Sequence, residues 1–250
     1  MTSGRIAFMG YDELIDEALT ADFEGWDFSA LKGRITYEGT LPWDYEQVVR
    51  DHLPATKALL DLGTGGGELL ASLAPLPRGT AATERHAPNL PVARRRLAPL
   101  GVEVTDTTET FPDASFDLIT SRHEAYDPHE IRRLLTRGGT FLTQQVAGRD
   151  LEELNTALKA PPHDNATWSL AEATHGLRNA GLDVVWSAEA TFTTRFHDIG
   201  ALVLFLRMVP WQIPAFDVQT YAPHLRTLHE TRAPLKATAH RFALLARTEP

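Results

Sequence analysis

Short apolar runs alternate along this chain with stretches whose apolar residues recur every three or four positions. Ala58 to Asp61 is a run of strand length that ends in an acid and meets glycines at once. Gly67 to Leu73 then has helical spacing, and Pro75 and Pro77 stop it. Thr80 to Glu84 predicts a second strand, again ending in an acid, and Pro91 to Leu100 a helix. Val102 to Thr105 and Phe116 to Thr120 predict a third and a fourth strand. A helix over Pro128 to Leu135 ends at Gly138 and Gly139, before a fifth strand from Thr140 to Val146. Helices are expected at Leu151 to Lys159 and Ser169 to Ala180, the second stopped by Gly181. A long β-like stretch runs from Leu182 to Thr194, and His240 to Arg247 is a final strand.

Repeated strand-then-helix units imply right-handed crossovers and a parallel sheet with helices on both faces. Residues 1 to 57 precede the first core strand and hold three of the five Tyr and two of the five Trp. They are expected to form a helical cap or lid. Residues 58–250 are then one α/β domain, with a helical insertion at about 197–239 before the last strand.

Composition narrows this little. The chain has 250 residues, 43% hydrophobic and 23% charged, which is ordinary globular usage. It has no Cys, so disulfides, Cys-bound zinc and thiol nucleophiles are excluded. A net charge of -9 argues against broad binding to nucleic acid or anionic membrane. The most apolar run, Ile199 to Trp211, is 13 residues and falls short of the ~20 a spanning helix needs. A soluble, cytoplasmic protein without membrane contact is expected.

The chemistry concentrates at Asp61, Leu62, Gly63, Thr64, Gly65, Gly66 and Gly67, between a strand and a helix. Residues without Cβ let the backbone reverse and a ligand lie against it, near unpaired N–H groups at the helix start. A phosphate-cradling loop would need a Lys after the glycines, and there is none. A dinucleotide fingerprint starting at Gly63 would need a sixth-position glycine, and Glu68 stands there. The pattern that fits in full is Asp-x-Gly-x-Gly-x-Gly over Asp61, Gly63, Gly65 and Gly67. An acid before the loop suits a ligand with an ammonium group and no phosphate. S-adenosylmethionine is such a ligand. Glu84, 21 residues after Gly63, is either an acceptor for both ribose hydroxyls or a solvated strand-end acid.

These segments resemble the class I S-adenosylmethionine-dependent methyltransferases, of the bacterial type 11-like kind. The resemblance runs over roughly residues 55 to 147, through ALLDLGTGGGELL, AATERH, VTDTTETFPDASFDLITSR and RRLLTRGGTFLTQQV. It implies a Rossmann-like seven-stranded sheet in the order 3-2-1-4-5-7-6, with strand 7 antiparallel and helices on both faces. It implies that Asp61, Leu62, Gly63, Thr64, Gly65, Gly67, Glu84, Arg85, Asp106, Thr107 and Ser121 surround S-adenosylmethionine. Asp106 is at the position expected to meet the adenine amino group.

Methyl transfer from a sulfonium needs alignment and exclusion of water. A base is needed only for a protonated nucleophile. The polar segment from Ser121 to His129 follows the fourth strand, where ligands bind in such sheets. His123 is the candidate base, with Glu124 or Asp127 to orient it; the alternative is that His123 packs and Asp127–Pro128 starts a helix. The His and acid spacing here matches no metal signature. Trp26, Phe28, Tyr37, Trp43 and Tyr45 either wall off an acceptor or pack an N-terminal helix, and Trp211 and Phe216 are an opposite wall or plain core. Tyr37, Trp43, Arg122 and Trp211 are the substrate-side candidates. Arg94, Arg95 and Arg96 fan out over about 200° of a helix and are expected to be solvated. The acceptor expected is a small molecule. A nucleobase in RNA, or no acceptor at all in a cofactor-binding domain, are the other readings; the sequence is silent on oligomeric state.

Overall fold

The structure is a computed structural model, and it describes residues 9–23 and 28–249. Trp26 lies outside the described residues.

The strands form a single mixed sheet of eight. They are β1 (Ile35–Glu38), β2 (Ala58–Leu62), β3 (Gly79–Thr83), β4 (Glu103–Thr105), β5 (Phe116–Arg122), β6 (Leu135–Val146), β7 (Asp183–Phe196) and β8 (Leu235–Arg247). Their order is β1-β7-β8-β6-β5-β2-β3-β4. This corrects the expected seven-stranded sheet in the order 3-2-1-4-5-7-6. The additional strand, β1, comes from the segment read as a helical cap. It pairs antiparallel with β7, Ile35 opposite Phe196 and Glu38 opposite Thr193. It is short and has one buried residue, Ile35, so it leaves almost no apolar signature.

The β2–β3, β3–β4, β2–β5 and β5–β6 pairs are parallel, and β8 runs antiparallel to β6. The central strands read as near-continuous apolar runs because both faces are covered. Two more boundaries differ from expectation. β6 starts at Leu135 and takes in Gly138 and Gly139, where a helix stop was expected; its pairing with β5 shifts register between Phe116 and Leu118. β8 starts at Leu235 rather than at His240.

The chain divides into two compact units. One comprises residues 41–150, 165–191 and 240–250. Its helices are α2 (Tyr45–His52), α3 (Glu68–Ser72), α4 (Leu90–Leu97), α5 (Pro128–Leu134) and α7 (Leu170–Asn179). Successive strand residues point to opposite faces, which splits its core in two. Leu60, Ile119 and Phe141 pack with Ile131 and Leu134 of α5 and Ala173 and Leu177 of α7. Leu59, Leu118 and Leu142 pack with Val49 of α2, Leu70 of α3 and Ala93 and Leu97 of α4.

The other unit comprises residues 1–40, 151–164 and 192–239. It holds α1 (Tyr11–Thr20), α6 (Glu152–Leu158), α8 (Ile199–Met208) and α9 (Val218–Glu230). The apolar run noted above becomes α8, which is buried nearly all round and packs on Leu14, Ile15 and Ala18 of α1. Asp198 starts it. Its carboxylate accepts from the Ala201 N–H at 2.8 Å and from Arg34 Nε at 2.9 Å. No helix among the described residues is long and apolar enough to cross a membrane.

Candidate functional site

The glycine turn joins β2 to α3. Gly63, Gly65 and Gly67 have φ of +65°, +63° and +81°, a region L side chains avoid. The turn is tied to the neighbouring strand: Thr64 N–H donates to Thr83 O at 2.9 Å, and Gly63 N–H to Thr83 Oγ1 at 3.3 Å. Gly67 N–H closes it onto Thr64 O at 3.0 Å. A Cβ on Gly63 would lie 2.5 Å from Cβ of Glu124, so the Glu124 side chain lies directly over this turn.

Asp61 ends its strand as a buried carboxylate, 8% exposed. It accepts from Thr120 Oγ1 at 2.7 Å, across the β2–β5 pair in which the two residues are partners. Desolvation, offset in part by that hydrogen bond and reinforced by Glu84, pushes it up to about 6. Glu84 follows β3 and is 5% exposed. Its Oε1 accepts from His86 N–H at 2.6 Å, and its own N–H donates to Thr105 O at 2.9 Å. Glu124 is also raised, by burial first and then by Glu84. Asp61, Glu84 and Glu124 therefore crowd three acids around one glycine turn, and none has an ion-pair partner among the described residues. Tyr45 and Thr64 each bury a hydroxyl oxygen without a well-formed hydrogen bond. Burial and the nearby Asp61 carboxylate hold the Tyr45 phenol well above its ordinary value.

The remaining cofactor candidates are spread around this centre. Leu62 is buried at the end of β2, and Ser121 is buried near the end of β5, where its Oγ donates to Glu124 O at 3.2 Å. Arg85 and Asp106 are exposed beside the ends of β3 and β4. Thr107 forms a local turn, its hydroxyl accepting from Glu109 N–H at 3.2 Å.

His123 sits just past β5 with φ +63°, a left-handed conformation uncommon outside glycine. Its N–H donates to Gln144 O at 2.8 Å, and its Nε2 lies 3.0 Å from Gln144 Nε2. The other side-chain atom of that amide, Oε1, accepts from Trp43 Nε1 at 2.8 Å. The residue is exposed at the surface. Desolvation, then the Arg241 and Arg122 guanidinium groups, push the imidazole down to about 3. The acids expected to orient it are engaged elsewhere: Glu124 covers Gly63, and Asp127 caps α5 by accepting from His129 N–H at 2.9 Å. Gln144 takes that place. Two adjacent glutamines, Gln144 and Gln145, buried in β6 beside Phe141 and Leu142, were the available sequence signal. Gln145 Nε2 donates to Glu124 O at 3.0 Å and so holds the same loop.

Of the substrate-side candidates, Trp43 and Arg122 belong to the unit that holds the glycine turn. Arg122 stands 6.0 Å from the centre of the Tyr45 ring. Tyr37 and Trp211 belong to the other unit, and both are exposed. Tyr37 meets Phe192 edge-on there. The arginine run is exposed, as expected, and two of its members also make contacts to the fold. Arg96 Nη1 donates to the Gly66 carbonyl and pairs with Glu68, while Arg94 Nε donates to Val104 O at 3.0 Å. Two of the three arginines therefore brace the fold, and Glu68 is turned toward Arg96.

Comparison with known proteins agrees with this architecture. The candidate methyltransferase from Bacillus halodurans C-125 superposes with a TM-score of 0.62 at 16% identity, over 83% of this chain and 99% of that one. The YcgJ protein from Bacillus subtilis gives 0.58 at 17% identity, over 82% and 98%. The [4+2]-cyclase SpnF gives 0.55 at 15% identity, over 94% and 93%. No curated protein matches the sequence. Residues 60–143 match the family described as methyltransferase domain, a span that runs from β2 through the glycine turn, Glu84 and the β5 loop into β6. Over those residues the chain is similar to that methyltransferase domain family, and the match falls inside the segment, roughly residues 55 to 147, that carries the resemblance in the sequence.

Proposed function

We propose that this chain transfers a methyl group from S-adenosylmethionine to a small-molecule acceptor. The observation that carries the reading is the set of three unpaired acids, Asp61, Glu84 and Glu124, around a turn that only glycines can form. Such a site repels phosphate. It attracts a ligand with an ammonium group and a sulfonium, because a cation there relieves carboxylates that burial has left uncompensated. When bound, S-adenosylmethionine supplies an electrophilic methyl on a neutral leaving group.

The chain's own residues have three tasks in this reading. Gly63 makes room for the Glu124 side chain over the turn, and Gly65 lets the ligand lie against the backbone. Asp61 and Glu124 meet its positive end, and Glu84 accepts from ribose hydroxyls through the oxygen that His86 leaves free. Arg85, Asp106, Thr107 and Ser121 border the nucleoside. Trp43, Arg122 and His123 line the acceptor side.

Calorimetry with S-adenosylhomocysteine and with NAD tests this. Micromolar binding of the first and none of the second is expected. Tighter binding of NAD would overturn it.

A further inference from the structure

The hydrogen bonds at His123 determine where its proton sits. An indole Nε1 can only donate. The Gln144 atom that faces Trp43 at 2.8 Å is therefore the carbonyl oxygen, which fixes the orientation of the amide. The Gln144 atom that faces His123 at 3.0 Å is then the NH2 nitrogen, a donor. His123 Nε2 must accept, and an imidazole that accepts at Nε2 is neutral with its proton on Nδ1. The backbone holds this arrangement in register, since His123 N–H donates to Gln144 O at 2.8 Å. No protein group bonds Nδ1 among the described residues, and the residue has an exposed edge.

We propose that Trp43 and Gln144 are positioning residues that lock His123 as a neutral imidazole, so that its Nδ1–H is a fixed hydrogen-bond donor to the methyl acceptor and not a base. The charged groups around the ring act in the same direction. Arg122 follows from β5, and Arg241 reaches it from β8 with Asp150 as its own ion-pair partner. Glu124 is the one carboxylate next to it in the loop, and it is turned over Gly63. The lock is independent of methyl transfer. The role toward an acceptor rests on the function proposed above, and that acceptor carries an oxygen or nitrogen lone pair for the Nδ1–H.

Nitrogen-15 NMR of the histidine rings tests the lock on the ligand-free protein, with His123→Gln to assign the signal. Wild-type His123 is expected in the Nδ1–H form and constant from pH 5 to 8. Gln144→Glu should reverse the sign: its carboxylate accepts from Nε2–H, and titration should appear at or above about 6.5. Trp43→Phe should leave a mixture of tautomers. Acetate serves as the probe of an oxygen lone pair, and it should move the Nδ1 signal and leave Nε2 in place. Wild-type titration near 6.5, an Nε2–H tautomer, or an acetate response at Nε2 or at neither nitrogen would overturn the proposal. If a variant does not fold, the wild-type spectra still decide. Calorimetry with S-adenosylhomocysteine on the same sample reads separately the cofactor binding on which the proposed function depends.

Discussion

Thr120 Oγ1 donates to the Asp61 carboxylate at 2.7 Å, and this is the only side-chain hydrogen bond of good geometry that Asp61 receives among the described residues. One neutral hydroxyl does not compensate a buried charge. The folded-state value of about 6 lies above the ~3.9 of an unfolded aspartate. Between those two pH values the unfolded chain has released a proton that the folded chain still holds, so stability falls as pH rises through about 6. The loss from this group is at most ~3 kcal/mol. Asp61→Asn should flatten the stability curve between pH 4 and 7, measured by urea unfolding. The same variant should bind S-adenosylhomocysteine at least about tenfold more weakly at pH 7.5, because the charge is what the ligand's ammonium uses.

Glu84 already gives one oxygen to His86 N–H, which separates its structural role from its ligand role. Glu84→Gln keeps an acceptor for His86 and removes the charge. Affinity for S-adenosylhomocysteine should fall by about tenfold, equivalent to ~1.4 kcal/mol, with an unchanged melting temperature in the absence of ligand. Equal affinity would reduce Glu84 to a strand-end acid.

At Gly63, an added methyl meets both a φ of +65° and the Glu124 side chain at 2.5 Å. Gly63→Ala should destabilise the protein by roughly 1–3 kcal/mol and abolish cofactor binding. Adding Glu124→Gly removes the overlap and not the backbone strain, so part of the lost stability should return. Thermal melts of the single and double variants measure this.

Arg96 reaches from α4 to the Gly66 carbonyl. Its ion pair with Glu68 is largely solvated and contributes little. The hydrogen bond to the turn is the part that matters. Arg96→Ala should weaken S-adenosylhomocysteine binding several-fold, while Glu68→Gln should not, and titration calorimetry distinguishes the two.

Much of this site was legible in the sequence because its logic is local. The parallel strands had to be apolar runs, as Leu59, Leu60, Phe141 and Leu142 are, and a turn with positive φ at positions 63, 65 and 67 had to be built from glycines. Partners distant in the chain were not legible. Nothing near Gly63 announces that Glu124 will cover it, and nothing near His123 announces Gln144, 21 positions later, or Trp43, 80 positions earlier. The edge of the sheet was missed for another reason. Ile35 to Glu38 bury one side chain, and pairing through the backbone carries no pattern of residue types. Arg96 is solvated as its helical position implies, but helical periodicity reports which face a residue occupies and not how far a long side chain reaches, so its bond to Gly66 was not legible.

β1 lies along only the last residues of β7, Thr193 to Phe196, with Glu38 and Arg195 paired across the two strands. Four residues of mostly polar chain thereby shield amide and carbonyl groups that would otherwise offer themselves to any extended peptide in solution. Versions of this protein shortened at the front to begin at the glycine-turn unit would lose that guard. A tendency to self-associate in such a truncation would then reflect an unprotected border, and not a failure of the glycine-turn unit to fold.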